Sequence, residues 1–187
     1  EPSLSEPLTR FELLTVAALL HFADAAVDVA VVEVGPGGTW DSTNVLDAPV
    51  AVITSVGLDH TQVLGDTEVE IARDKAGIIA PGSVVVLGAV DDEVAAVVEE
   101  RCDAVGAGQL WRYGTELRCS EDRLAVGGRL IDVAVPGGSY EEVLIPLLGG
   151  HQGRNAAVAV AAVAAFLGWA PSSEVVESAL AGVEVPG

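Results

Sequence analysis

Apolar residues follow two different spacings that alternate along the chain. Short continuous runs rich in valine and isoleucine occupy 28–34, 49–55 and 83–87, and such runs are typical of parallel strands covered on both faces. Apolar positions at helical spacing predict helices over 7–25, 67–79, 91–105, 152–167 and 172–181. The alternation predicts an α/β fold of three layers, with helices on both faces of a parallel sheet.

Residues 109–148 have a different pattern. Short alternating pieces around 110–113, 123–126, 130–135 and 143–148 are separated by Gly-Gly turns, which predicts antiparallel hairpins. We expect this subregion to be a small antiparallel β appendage on the parallel sheet. The chain as a whole, 1–187, is expected to form one domain, because its length is ordinary for a single domain.

The charge balance excludes several classes of partner. The chain has 28 Asp plus Glu against 9 Lys plus Arg, a net charge of -19, which repels phosphate backbones and anionic lipids. We therefore expect neither a nucleic-acid nor a membrane partner. No apolar run approaches the roughly 20 residues of a membrane helix. Cys102 and Cys119 are too few for a disulfide framework and predict reduced thiols in a cytoplasmic protein.

Two ionisable residues follow predicted strands. Glu33 ends the run 28–34 and His60 follows the run 49–55. Ligands of open parallel sheets bind beyond the carboxyl ends of strands, so the two side chains could converge there. The alternatives are a Glu33 carboxylate that caps the N–H groups of the glycine loop 35–38, and an ordinary surface or core histidine at position 60.

Lys75 is the only lysine among the cations of the chain. The scarcity of lysine could simply reflect composition. Unlike arginine, however, a desolvated lysine can lose its proton and then act as a base or react with carbon dioxide. A chemical role for Lys75 is therefore our hypothesis.

Two segments, one rich in glycine and one polar, are candidates for nucleotide binding. The glycines of 35–38 match neither the P-loop pattern nor the dinucleotide fingerprint, so we interpret them as a tight strand exit. The missing fingerprint also argues against a Rossmann oxidoreductase. His151, Gln152 and Asn155 occupy the first turns of a predicted helix, where backbone N–H groups favour anions; helix capping by solvent-facing polar groups is the alternative.

Four ordered motifs together resemble the Mur ligase superfamily, and within it the folylpolyglutamate synthase and dihydrofolate synthase family. They are E-V-G-x-G-G-x-x-D-S-T-N from Glu33, I-T-S-V-G-L-D-H from Ile53 followed by L-G-D-T, I-A-R-D-K-A-G-I-I from Ile71, and G-H-Q-G-R-N-A-A from Gly150. The D-S-T-N segment favours the folate branch over cell-wall ligases. By this resemblance the chain is expected to be part of a central ATP-binding domain with a P-loop-NTPase-like fold. The family's P-loop is expected before it and the C-terminal domain after it.

The resemblance implies an ATP- and Mg²⁺-dependent amide ligase that adds L-glutamate to dihydropteroate, to folates or to both, through an acyl phosphate. In this family Glu33 would ligate Mg²⁺, and His60 would ligate a second ion near the reacting carboxylate. Lys75 would be N-carboxylated and would support that second metal. Asn155, with His151 and Gln152, would contact ATP.

The resemblance also implies a pteridine site. Its residues would be Thr9, Arg10, Phe11 and Glu12 on the first helix, and Trp40, Asp41 and Ser42 on the glycine-flanked loop. Trp40 is the better stacking candidate, because Phe11 could equally pack in the core. Thr39 departs from the family, many members of which carry arginine there.

These implications lead to several expectations for the whole protein. The partners would be small molecules, namely ATP, dihydropteroate or folate, and L-glutamate, and the protein would be a cytoplasmic monomer. The chain by itself should be inactive, because the P-loop lysine and amides that hold the phosphates are not in it. The alternative is a non-catalytic nucleotide- or metal-binding remnant of a Mur ligase-like protein.

Overall fold

The computed structural model describes residues 7–59 and 61–184. Within these residues the chain forms helices and two sheets, in this order: α1 Arg10–Asp24, β1 Val50–Ile53, α2 Thr61–Leu64, α3 Glu68–Lys75, β2 Val84–Leu87, α4 Asp92–Val105, β3 Gln109–Arg112, β4 Arg118–Ala125, β5 Gly128–Val135, β6 Gly138–Ile145, α5 His151–Leu167 and α6 Ser173–Ala181. Short 3₁₀ turns lie at Ser42–Val45 and Ala76–Ile78. None of the described helices is long and apolar enough to cross a membrane.

The first sheet is parallel, in the order β1-β2-β3, with Val50 opposite Val84 and Val84 opposite Gln109. Alternate residues of a strand point to opposite faces, and helices cover both faces here. One face packs on α4, and the other packs on α5. This arrangement confirms the predicted α/β fold with helices on both sides of a parallel sheet.

The second sheet is antiparallel, in the order β4-β5-β6. Its buried residues, including Ile131, Val133 and Val143, share one core with α5. Helix α5 also contacts β1 and β2, so it lies between the two sheets, and α6 packs on β6. The antiparallel appendage is therefore joined to the parallel sheet through a shared helix.

The predicted antiparallel subregion 109–148 begins too early. Residues Gln109–Arg112 form β3, which pairs parallel with β2, and the antiparallel sheet starts only at Arg118. The residues of β3 are Q-L-W-R, with a polar residue at each end, so they lack the continuous apolar run that predicted β1 and β2.

The predicted strand at 28–34 does not form in the described structure. The segment belongs to no strand, and the side chains of Val29 and Val31 are 53% and 95% exposed. A strand requires a neighbour for its backbone N–H and C=O groups. Strand β1 is an edge of its sheet and pairs with β2, so no described ladder includes residues 28–34. Glu33, expected at the end of a buried strand, is accordingly exposed.

Candidate functional site

The first helix begins with a reciprocal pair of hydrogen bonds. The Glu12 backbone N–H donates to Thr9 Oγ1 over 3.2 Å, and the Thr9 backbone N–H donates to Glu12 Oε2 over 2.6 Å. This capping box satisfies N–H groups that have no partner inside the helix. The Thr9 backbone bond, followed by its hydroxyl, holds the pKa of the Glu12 carboxyl below its usual value. Two residues predicted for a pteridine site thus fix the start of α1.

Phe11 and Asp41, which lie far apart in sequence, converge on Gly35. A Cβ atom added to Gly35 would lie 2.6 Å from Asp41 Oδ2 and 3.1 Å from Phe11 Cζ. Any side chain at position 35 would therefore displace both. Phe11 is 43% exposed and α1 has no buried residue, so Phe11 does not pack in a core, which was the alternative for this residue.

Trp40 lies in a loop whose next residues form a tight turn. Asp41 Oδ1 accepts hydrogen bonds from the Thr43 backbone N–H, over 2.9 Å, and from Thr43 Oγ1, over 2.6 Å. This carboxylate caps the 3₁₀ turn that begins at Ser42. The Trp40 side chain is 92% exposed. Its ring is available to a flat ligand, while the backbone beneath it is held.

The same loop is fastened to the end of α3, where Lys75 lies. The Thr39 backbone N–H and Oγ1 both donate to the Asp74 carbonyl oxygen, each over 3.1 Å. Asn44 Nδ2 donates to the carbonyl oxygens of Thr39, over 3.1 Å, and Gly77, over 3.4 Å. The backbone of the loop and the backbone around Lys75 are therefore one connected unit.

Lys75 is the last residue of α3 and is half-buried. A Cβ atom on Gly38 would lie 2.8 Å from the Lys75 Cα atom, so the two backbones are in direct contact. The predicted base or carboxylated lysine is thus next to the loop that carries Trp40 and Asp41. Sequence reasoning did not include Asn44 among the site residues, although it ends the D-S-T-N segment that indicated the family.

A surface cavity of about 340 Å³ opens beside this loop, between α3 and α4. Thr39, Arg73, Glu100 and Arg101 are among the residues that line it. Arg101 Nη2 donates to the Ile79 carbonyl oxygen over 3.3 Å, so this guanidinium supports the chain that follows α3. The walls carry both signs of charge, and we assign no ligand to the cavity.

The predicted nucleotide residues stand at the start of α5, which lies on the face of the parallel sheet opposite α4. Asn155 Nδ2 donates to Gln152 Oε1 over 3.2 Å, and His151 and Asn155 are exposed. Gly150 precedes the helix, and among the described residues no side chain caps its first N–H groups. Capping by polar side chains, the alternative for this cluster, is therefore not observed. The free end of a helix of this length favours an anion.

The structure describes one of the two predicted metal ligands. Glu33 presents an exposed carboxylate, and His60 lies outside the described residues. Within residues 7–59 and 61–184 no group of three or more His, Cys, Asp or Glu side chains could hold a metal ion. A single carboxylate nevertheless fits the usual mode of Mg²⁺ at a nucleotide, where one or two carboxylates act with phosphates and water.

The fold and these motifs define a Mur ligase domain. The profile of the Mur ligase middle domain matches residues 5–163, and the chain belongs to this family. Within it, the chain is 44% identical over 170 residues to the dihydrofolate synthase/folylpolyglutamate synthase of Mycobacterium tuberculosis, covering 86% of this chain and 34% of the relative. It is 39% identical to the folylpolyglutamate synthase of Lacticaseibacillus casei, covering 82% of this chain and 36% of the relative.

Solved structures of folylpolyglutamate synthases are similar to this chain as well. Mycobacterium tuberculosis folylpolyglutamate synthase complexed with ADP and AMPPCP superimposes with a TM-score of 0.93 at 41% identity, over 98% of this chain and 42% of that one. An FPGS–AMPPCP–folate complex superimposes with a TM-score of 0.91 at 34% identity, over 97% of this chain and 45% of that one. The family resemblance seen in the sequence is confirmed. The chain spans about a third of the length of these two curated relatives.

Proposed function

We propose that a complete protein carrying this chain is an ATP- and Mg²⁺-dependent ligase that joins L-glutamate to dihydropteroate, to folates or to both. The observation that carries the proposal is the backbone contact between Gly38 and Lys75, because it joins the loop that carries the exposed Trp40 and the Asp41 carboxylate to the end of α3 at a half-buried lysine. The similarity to dihydrofolate and folylpolyglutamate synthases, one of them solved with AMPPCP and folate, supports it.

The reaction would proceed in two transfers. The carboxylate oxygen of the pteroate or folate attacks the γ-phosphorus of ATP, which releases ADP and forms an acyl phosphate. The amine of L-glutamate then attacks the acyl carbon, the C–O bond to phosphate breaks, and the amide, inorganic phosphate and one proton are the products. Most of the catalysis in such a reaction comes from positioning and from stabilisation of charge.

Each predicted residue has a part in that positioning. Trp40 and Phe11 would hold the heterocycle by stacking, with Asp41 at its edge, and Thr9, Arg10, Glu12 and Ser42 would surround it. His151, Gln152 and Asn155 would bind the nucleotide at the start of α5. Glu33 would hold Mg²⁺, which neutralises phosphate charge when bound, and His60 would hold a second ion near the reacting carboxylate. The Lys75 ammonium would first lose a proton. The neutral amine would then form an N–C bond to carbon dioxide and release a second proton, which leaves a carbamate anion.

The setting of the protein is part of the proposal. We propose a cytoplasmic monomer whose partners are ATP, a pteroate or folate, and L-glutamate. The 187-residue chain alone is expected to be inactive, since the phosphate-binding lysine and amides of the family are not among its residues. Its net charge of -19 accords with phosphates that are bound as their magnesium complex.

The test is ADP formation by the complete protein, with and without each of the two organic substrates. We expect turnover only when L-glutamate and either dihydropteroate or a folate are both present. Glu33→Gln should lower kcat/KM by about 100-fold or more, the scale of one lost transition-state contact. Glu177→Gln, which removes an exposed carboxylate from α6, is the matched control and should stay within about twofold.

One result would contradict the proposal, and another would contradict only the role of Glu33. Nucleotide binding without turnover under every substrate pair would favour the non-catalytic remnant instead. Equal losses in Glu33→Gln and Glu177→Gln would remove Glu33 from the site while leaving the ligase activity in place.

A further inference from the structure

We infer that Asn44 is a positioning residue, which sets the placement of the Trp40 loop relative to Lys75. The inference rests on the proposed ligase function and concerns a residue that the predicted site did not include. Asn44 is half-buried in the 3₁₀ turn Ser42–Val45. It would act through the backbones that it joins, without touching the reacting atoms.

The side-chain amide of Asn44 bridges two segments that are distant in sequence. An amide nitrogen has two N–H donors, and here one meets the Thr39 carbonyl oxygen at 3.1 Å while the other meets the Gly77 carbonyl oxygen at 3.4 Å. Thr39 directly precedes Trp40, and Gly77 follows Lys75 by two residues. The single amide therefore spans the join between the aromatic loop and the lysine.

Two glycines make this join close enough for the bridge. A Cβ atom on Gly38 would lie 2.5 Å from the Asp74 carbonyl oxygen, and a Cβ atom on Gly77 would lie 2.6 Å from the Thr39 Cα atom. Such distances leave no room for a side chain at either Gly38 or Gly77. The two hydrogen bonds from Thr39 to the Asp74 carbonyl oxygen hold the same two backbone segments together on the other side of Lys75.

The chemistry of the residue matches this task. Aspartate has nearly the same shape, but its carboxylate would set negative oxygens against two carbonyl oxygens. Alanine would leave both carbonyls without this donor. In the proposed reaction the heterocycle and the reacting carboxylate belong to one molecule, so the separation of Trp40 from Lys75 sets the alignment of the attack. A displacement of about 1 Å can cost about 100-fold in rate.

The experiment is a double-mutant cycle on the complete protein, with kcat and the KM values of both ATP and the pteroate or folate as readouts. Asn44→Ala and Asn44→Asp should each lower kcat by about 10- to 100-fold. The KM for ATP should stay within about twofold, because the predicted nucleotide residues lie on α5, across the sheet. Gln109→Ala, which removes an exposed amide from β3, is the control expected to leave activity unchanged.

The cycle separates positioning from a general loss of structure. If Asn44 acts through the Trp40 loop, Asn44→Ala should cost less than about threefold in a Trp40→Ala background. The inference would be overturned if the loss of kcat in the double variant equalled the product of the losses in the two single variants. A rise in the KM for ATP equal to the fall in kcat would also overturn it. So would wild-type kinetics in a folded Asn44→Ala variant.

Two conservative substitutions at Thr39 keep the inference testable if the Asn44 variants do not fold. Thr39→Val removes the Oγ1 donor to Asp74 but keeps the backbone N–H, and it should lower kcat several-fold with KM for ATP unchanged. Thr39→Ser restores the hydroxyl and should restore kcat; equal rates for the two variants would overturn the inference. An inactive wild-type protein would contradict the proposed function itself, whereas an active one with additive variants would contradict only the role of Asn44.

Discussion

Cys119 shows how the environment of one side chain sets its chemistry. Both cysteines are free, and Cys119 is half-buried in β4. Burial, followed by the carboxylates of Asp122 and Asp132 and opposed by Arg129, raises the pKa of the Cys119 thiol from 9.0 to about 11. The thiolate is the reactive form of cysteine. The reduced thiols predicted from the sequence are therefore expected to be unreactive ones.

We predict that Cys119 reacts slowly with a thiol reagent at pH 8 in a Cys102→Ser variant, which leaves it as the single thiol. The rate should be about 100-fold below that of a free cysteine, because so little thiolate is present. It should rise as the pH approaches about 11. Unfolding in guanidinium chloride provides the control, since it should restore ordinary reactivity; a folded protein that reacts like free cysteine would contradict the raised pKa.

The same shift links stability to pH. Between pH 9.0 and about 11 the unfolded thiol loses its proton while the folded one keeps it. The unfolded state then binds fewer protons than the folded state, so the free energy of unfolding falls as the pH rises through this window. Below pH 9.0 both states keep the proton, and this contribution is fully present.

At the scale of elements, α5 determines how the two sheets come together. Its buried residues are mostly alanines, among them Ala157, Ala161 and Ala164, which are at most 1% exposed. Small side chains let a helix approach two neighbours at once, and protein interiors leave few voids around them. The alanine-rich sequence of this helix is therefore a requirement of its place between two sheets.

We predict that Ala161→Leu lowers the free energy of unfolding by about 1 to 3 kcal/mol, the usual cost of overpacking a filled core. Ala159→Leu is the matched control, since this residue is exposed on the same helix, and leucine and alanine have similar helix propensities. It should change stability by less than about 0.5 kcal/mol. Urea unfolding measures both variants, and equal losses would show that α5 is not confined between the sheets.

The elements also show how far the sequence predicts the structure. Strands β1 and β2 are covered on both faces and were predicted from their continuous apolar runs. The helices other than the short α2 were predicted from the spacing of their apolar residues. The strand predicted at 28–34 from the same kind of run does not form, because an apolar run does not reveal whether a neighbouring strand is present to pair with it. Asn44 was missed for a related reason: its side chain donates to Gly77, 33 positions away in the sequence, and no local pattern encodes that contact.

At the scale of the whole molecule, the excess of carboxylates determines the electrostatics of the chain. Against 28 Asp plus Glu there are 9 Lys plus Arg, and several arginines already serve ion pairs. Arg112 contacts Asp92 at 2.5 Å, Arg123 contacts Glu142 at 2.6 Å, and Arg129 contacts Asp122. The Arg112 and Arg123 pairs lie at the surface, and surface pairs contribute little to stability. The remaining carboxylates repel one another, and a compact state brings them closer together than an unfolded chain does.

We therefore predict that salt stabilises the chain. Raising NaCl from about 0.01 to about 0.15 M shortens the screening length from about 30 to about 8 Å, which weakens this repulsion more in the folded state. The midpoint of thermal unfolding should rise by a few degrees, about 2 to 4 °C for each kcal/mol gained. Replacing the exposed Glu141 and Glu177 with glutamine removes two of the repelling charges, and the salt response should become smaller in that variant. An unfolding midpoint that falls with salt, or a response that the double substitution leaves unchanged, would mean that ion pairs outweigh repulsion in this protein.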